Sequence, residues 1–271
     1  MLNLITMVGL IKFSKSCRNI EELSLNHCTQ ITEPCLLQVV TELPNIQHFH
    51  CIMFHELQQP LFSNEGFAQM VRPFTKTLCV SADHVFEEGF AQFIGRIRET
   101  GAKLESLALV REFNNLNPEI ITKQAIPENL FIALFAELPH LKFIEIRNFA
   151  VTDDGLRFLL SHCTMLEKII IHSFASDLST EWLDAVTPNN SQLQHLELMG
   201  ATSYNPCVSL IKQLAVSCRK LTTLKTDCFY EANELLAFSN CFPYLEKLGF
   251  DFNVGITPSF SLLIFAEFFC N

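Results

Sequence analysis

One phrase recurs nine times along this chain: an apolar residue, two of any kind, a second apolar residue, one of any kind, and a third. It reads Ile20-Leu23-Leu25, Ile46-Phe49-Cys51, Thr75-Leu78-Val80, Leu104-Leu107-Leu109 and Leu141-Ile144-Ile146. It continues as Leu166-Ile169-Ile171, Leu193-Leu196-Leu198, Leu221-Leu224-Thr226 and Leu245-Leu248-Phe250. Successive copies begin 26, 29, 29, 37, 25, 27, 28 and 24 residues apart. Of the 27 slots, 24 hold Leu, Ile, Val or Phe, the exceptions being Cys51, Thr75 and Thr226. At the chain's 49% hydrophobic content about 13 slots would be apolar by chance, so the period is real.

The last two slots lie two residues apart, so both point to one face of a short strand and the residue between them points to the other. A turn and a helical stretch follow. Thr152-Asp153-Asp154-Gly155 reads as a cap and first turn, with Leu156, Leu159 and Leu160 at helical spacing behind it. Ile31-Thr32-Glu33-Pro34 opens a second such stretch, with proline in a permitted early position. Phe90, Phe93, Ile94 and Ile97 make a third stripe. One strand and one helix cannot bury their own apolar faces, so the units must stack. The expected fold is an α/β solenoid in one domain spanning 1–271, with a parallel sheet on the concave side and helices on the convex side. Helices are wider than the strand spacing, so the stack curves into a horseshoe or arc.

The chain has 271 residues, 25 of them Phe, and only 18% are charged. Its mean hydropathy is +0.24, and a composition this apolar excludes disorder. A formal charge of −10 argues against nucleic acid and against an anionic membrane surface. No apolar run is long enough to span a bilayer. The apolar stretch from Met1 to Ile11 has neither a preceding basic residue nor a cleavage site, so 1–16 reads as a partial N-terminal unit. Eleven cysteines do not form a disulfide pattern. Cys17, Cys163 and Cys218 each stand three residues before a first slot, which marks them as small buried hydrophobes in register with the repeat. Free buried thiols suit the cytoplasm or nucleus.

The run Cys17-Arg18-Asn19-Ile20-Glu21-Glu22-Leu23-Ser24-Leu25-Asn26-His27-Cys28, followed by Ile31-Thr32, recurs in outline at Cys163 to Ile171 and at Cys218 to Cys228. With the tail Val151-Thr152-Asp153-Asp154-Gly155-Leu156, these residues resemble a leucine-rich repeat protein of the cysteine-containing subtype. That subtype is typical of the substrate-binding half of F-box proteins and of similar ribonuclease-inhibitor-like arcs. The resemblance covers nearly the whole chain. It implies substrate or adaptor recognition in ubiquitin-dependent protein degradation, without catalysis and without a cofactor. The chain departs from the family in one respect: an F-box is a helical segment before the repeats, and only about 16 residues precede Cys17. The chain is then either a fragment or divergent relative, or a stand-alone scaffold or inhibitor with no ubiquitin link.

The strand pattern also sorts the surface. Units three and four should expose small or apolar groups on the concave side: Thr77, Cys79, Ser81, Ser106, Ala108 and Val110. Units five to seven should expose Phe143, Glu145, Arg147, Lys168, Ile170, His172, His195, Glu197 and Met199. This second group mixes aromatic, aliphatic and both charge signs, as interfaces do. The first three, with Lys168, Ile170, His172, His195 and Glu197, are the candidate partner-binding residues. The same residues could also make ordinary cross-strand ion pairs on a solvated sheet.

Residues 110–127 form a longer inter-repeat loop that either leans over the concave surface or is a plain insertion. Residues 258–271 read as an apolar C-terminal helix, either packed on the ninth unit or covered by a further repeat, domain or protein. His48, His50, Cys51 and His55 are the one local metal-like cluster, but Cys51 should point away from the two strand histidines, so no metal site is expected. No phosphate loop, GxSxG elbow or paired CxxC is present, and an enzyme is not expected.

Overall fold

The computed structural model describes residues 6–26, 28, 31–52, 61–83, 85–111, 127–176, 181–201, 208–226 and 241–250. Each of the nine apolar phrases forms a strand: β1 Glu22–Ser24, β2 His48–Cys51, β3 Thr77–Ser81, β4 Ser106–Val110 and β5 Phe143–Arg147. β6 is Lys168–Ser176, β7 His195–Ala201, β8 Thr223–Thr226 and β9 Lys247–Phe250. They pair in chain order into one nine-stranded, wholly parallel sheet. Equivalent slots lie side by side: Leu107, Ile144, Ile169, Leu196, Leu224 and Leu248 make one continuous row. From Leu23 to Thr226 no slot residue is more than 8% exposed. The polar exception Thr75 is accommodated because its Oγ1 accepts from the Arg72 amide at 2.9 Å. Ile20, Leu245 and Leu248 are only partly buried.

Among the described residues the helices are α1 Met7–Ser16, which precedes β1, then α2 Glu33–Glu42, α3 Asn64–Gln69, α4 Glu87–Thr100, α5 Glu128–Ala136, α6 Asp153–His162 and α7 Val208–Ser217. α1 packs against α2. Thr152 caps α6 by accepting from the Gly155 amide at 3.1 Å. The Phe90, Phe93, Ile94 and Ile97 stripe of α4 is buried. The sixth unit departs from the expected helix. Its strand runs on to Ser176 through a register shift after His172, and two 3-10 turns, Glu181–Ala185 and Pro188–Asn190, make the return. Trp182 fills the space beneath them.

The alternation of one strand with one helix or turn, laid down in strict sequence, is an α/β leucine-rich-repeat solenoid with the sheet as its concave wall. Between sheet and helices runs a spine of aromatic rings. Phe67 lies 4.7 Å from Phe93 and 5.9 Å from Phe90, and Phe90 reaches Phe131 at 6.1 Å and Phe149 at 5.8 Å. β4 ends at Val110 and α5 opens at Glu128, so most of the expected 110–127 loop lies outside the described residues, as do residues 258–271 and His55.

Candidate functional site

The concave side of the sheet carries the residues between the slots, and the register aligns them in three rows. Phe143, Lys168, His195, Thr223 and Lys247 form the first row. Glu145, Ile170, Glu197, Lys225 and Gly249 form the second. Arg147, His172 and Met199 form the third. All eight candidate residues therefore share one face of three adjacent strands.

Side-chain contacts link them into a chain. Arg147 Nε donates to Glu145, and Arg147 Nη1 donates to His172 Nδ1 at 3.0 Å. A guanidinium can only donate, so His172 Nδ1 accepts, and its Nε2 carries the hydrogen given to Glu197 Oε1 at 2.8 Å. Glu197 Oε2 is met by His195 Nε2 at 3.3 Å and by Lys225 Nζ at 3.0 Å. Beside this network the Lys168 ammonium sits 5.1 Å from the centre of the Phe143 ring.

Glu197 is the hub. Burial works to raise its carboxyl pKa, but the hydrogen bonds from Lys225 and His172, with the charge of Lys225, outweigh that and hold it at about 2. His195 moves below its ordinary value because burial, aided by Lys168 and Lys225, outweighs its contact with Glu197. Exposed ion pairs contribute about 0–1 kcal/mol each, so the network does more to fix side-chain orientation than to hold the fold together.

The eight residues divide by depth. Ile170 and Glu197 are 6% and 8% exposed and form the floor. Phe143, Glu145, Arg147, Lys168, His172 and His195 are half-buried and form the part that a partner would meet. Lys225 is the member outside the eight candidates, although strand alternation also places it on the concave side. It stands opposite Glu197 in the adjacent strand, so charge complementarity across one register step was the signal available. Its stem lies over Gly249, where an added Cβ would come within 2.9 Å of Lys225 Cγ.

The expectation of an open small-residue surface on β3 and β4 is corrected. Ser81, Ala108 and Val110 are buried. Ala108 lies in register between Cys79 and Glu145, and Val110 between Ser81 and Arg147, so larger neighbours overshadow the small groups. Glu145 acts on Cys79 from across Ala108; burial first, then that carboxylate, push the thiol up to about 12, against an opposing effect of Arg147. His48 and His50 stand on the concave face, where His48 Nδ1 meets Thr77 Oγ1 at 2.9 Å, while Cys51 is buried on the other side. Among the described residues no three His, Cys, Asp or Glu side chains are grouped to hold a metal. Nor is any described helix long and apolar enough to cross a membrane.

No family model matches the sequence, and no curated protein sequence matches it. Similar backbones occur among solved structures. A chain in the crystal structure of the Rad7 and Elc1 complex in yeast aligns with 94% of this chain and 76% of its own length, at 13% identity and a TM-score of 0.49. The leucine-rich repeat-containing protein LegL7 from Legionella pneumophila aligns over 90% of this chain and 87% of its own, at 14% identity and a TM-score of 0.40.

Proposed function

We propose that the chain is a non-catalytic protein-recognition arc whose partner sits on the concave face of β5 to β8. The observation that carries this is the oriented relay from Glu145 through Arg147, His172 and Glu197 to Lys225, flanked by the Phe143–Lys168 pair. Aromatic and guanidinium groups held in place by neighbours lose little freedom when a partner arrives, which is what makes interface anchors effective. Turnover chemistry fits the same geometry poorly. His172 has both ring nitrogens engaged, and Glu197 is engaged by three neighbours, so neither is poised to exchange a proton with a substrate.

The finer reading is substrate or adaptor recognition in ubiquitin-dependent degradation, in the cytoplasm or nucleus. The cysteine-containing phrase of Cys17 to Cys28 supports it, and so do the free thiols among the described cysteines. The test is capture of proteins from a cell extract by the full chain and by a Phe143→Ala/Arg147→Ala variant. The variant should lose a defined set of partners; an unchanged set would place the interface elsewhere. The same partners should persist longer in cells depleted of the chain. Unaltered lifetimes would remove the ubiquitin link and leave the recognition role standing.

A further inference from the structure

The concave face is not uniformly charged, and its charge opposes that of the whole. Among the described residues, the rows over β1 to β4 hold a single formally charged residue, Glu22. Among the described residues, the rows over β5 to β9 hold four cations, Arg147, Lys168, Lys225 and Lys247, against two carboxylates, Glu145 and Glu197. Both carboxylates are already engaged, Glu145 by Arg147, and Glu197 by His172, His195 and Lys225. The surplus is positive, on a chain whose formal charge is −10. It lies along one row, with Lys168 on β6 and Lys247 on β9, and Phe143 next to Lys168 on β5.

We infer that this row receives an acidic, extended segment of a partner protein, laid across the strands, with an apolar side chain on Phe143 and carboxylates on Lys168 and Lys247. This inference rests on the concave face being the partner surface. A patch of one sign inside a molecule of the other attracts a complementary segment locally, while the rest of the surface repels acidic chains that do not fit it. The geometry also sets a spacing. Three strand steps separate Lys168 from Lys247, roughly 14 Å, and an extended chain advances about 3.3 Å per residue, so the two acids stand about four residues apart. The apolar residue lies one to two positions beyond the acid at Lys168, because Phe143 is about one strand spacing further along. Glu197 has a separate part. It is the buried anion that aims Lys225 and the two histidines, and a segment bearing carboxylates meets those donors rather than the hub.

The experiment is selection of short random peptides displayed on phage against the full chain, against a Lys168→Glu/Lys247→Glu variant, and against the Phe143→Ala/Arg147→Ala variant. Peptides taken by the unaltered chain should be acidic, with acids about four apart and an apolar residue near one of them. A synthetic peptide from that pool should bind about fivefold more weakly for each lysine reversed, the upper range for an exposed ion pair, and more weakly still at high salt. Neutral or basic peptides that still depend on Phe143 and Arg147 would overturn the acidic partner while leaving the concave face as the interface. Peptides indifferent to all four substitutions would overturn both. A single-stranded oligonucleotide of equal charge that competed as well as the acidic peptide would also overturn the inference, since phosphate rather than carboxylate would then be the ligand.

Discussion

Burial raises the pKa of a carboxyl, yet Glu197 titrates at about 2 because Lys225 and His172 donate to it. A carboxyl held below its ordinary value of 4.5 stabilises the fold above that pH and loses the contribution as the pH falls towards 2. His195, held below 6.5, acts in the same direction: the unfolded chain takes up its proton first, so stability starts to fall as the pH drops below that value. Urea unfolding of the native chain and of Glu197→Gln should therefore differ more at about pH 6 than at about pH 3. A constant difference across that range would contradict the network.

Arg111 makes a second test at this scale. Its guanidinium lies 4.1 Å over the Phe149 ring and donates to the Ala82 and Val85 carbonyls at 3.1 and 2.7 Å. Burial pulls it down to about 10, with Asp83 opposing. Arg111→Met keeps the stem and removes the donors, and should cost about 2 kcal/mol in urea unfolding. A neutral effect would mean that the two carbonyls find other partners. Asn190 shows what residue identity hid. It stands where Cys163 and Cys218 stand in their units, and its Nδ2 donates to the Leu160 carbonyl at 2.8 Å. Cys163 Sγ makes the equivalent reach to the Phe135 carbonyl at 3.9 Å. The position calls for a small donor, and a search by cysteine alone passes over the amide.

At the scale of elements, the nine strands were legible because their slots repeat at fixed spacing, even where Thr75 or Cys51 occupied one. The sixth return was not. Its 3-10 turns follow from a strand that runs on to Ser176 and from Pro188, which leave too few residues for a helix of the usual length. The concave rows followed from alternation, but alternation says nothing of neighbour size, which is why Ser81, Ala108 and Val110 were expected in the open and are buried. The aromatic spine is the element-scale feature with most at stake. Phe90 touches Phe67, Phe131 and Phe149, rings from three other units. Phe90→Ala should therefore cost about 4 kcal/mol in urea unfolding, near the upper range for a buried ring. A loss below about 1 kcal/mol would mean that the spine collapses to fill the gap.

For the whole molecule, stacking converts a local pattern into a long surface. The slots line the interior, and among the described residues the concave side carries one formal charge, Glu22, over the first four strands and a cationic surplus over the last five. On the proposed reading, recognition depends on where charge falls along the stack rather than on any single pocket. The most direct test is the amine reactivity of lysines when a captured partner is bound, read by mass spectrometry after brief acetylation. Lys168 and Lys225, on the concave wall, should become several-fold less reactive, while Lys212, exposed on α7, stays as it was. Protection of Lys212 with Lys168 and Lys225 unchanged would place the partner on the helices and contradict the account.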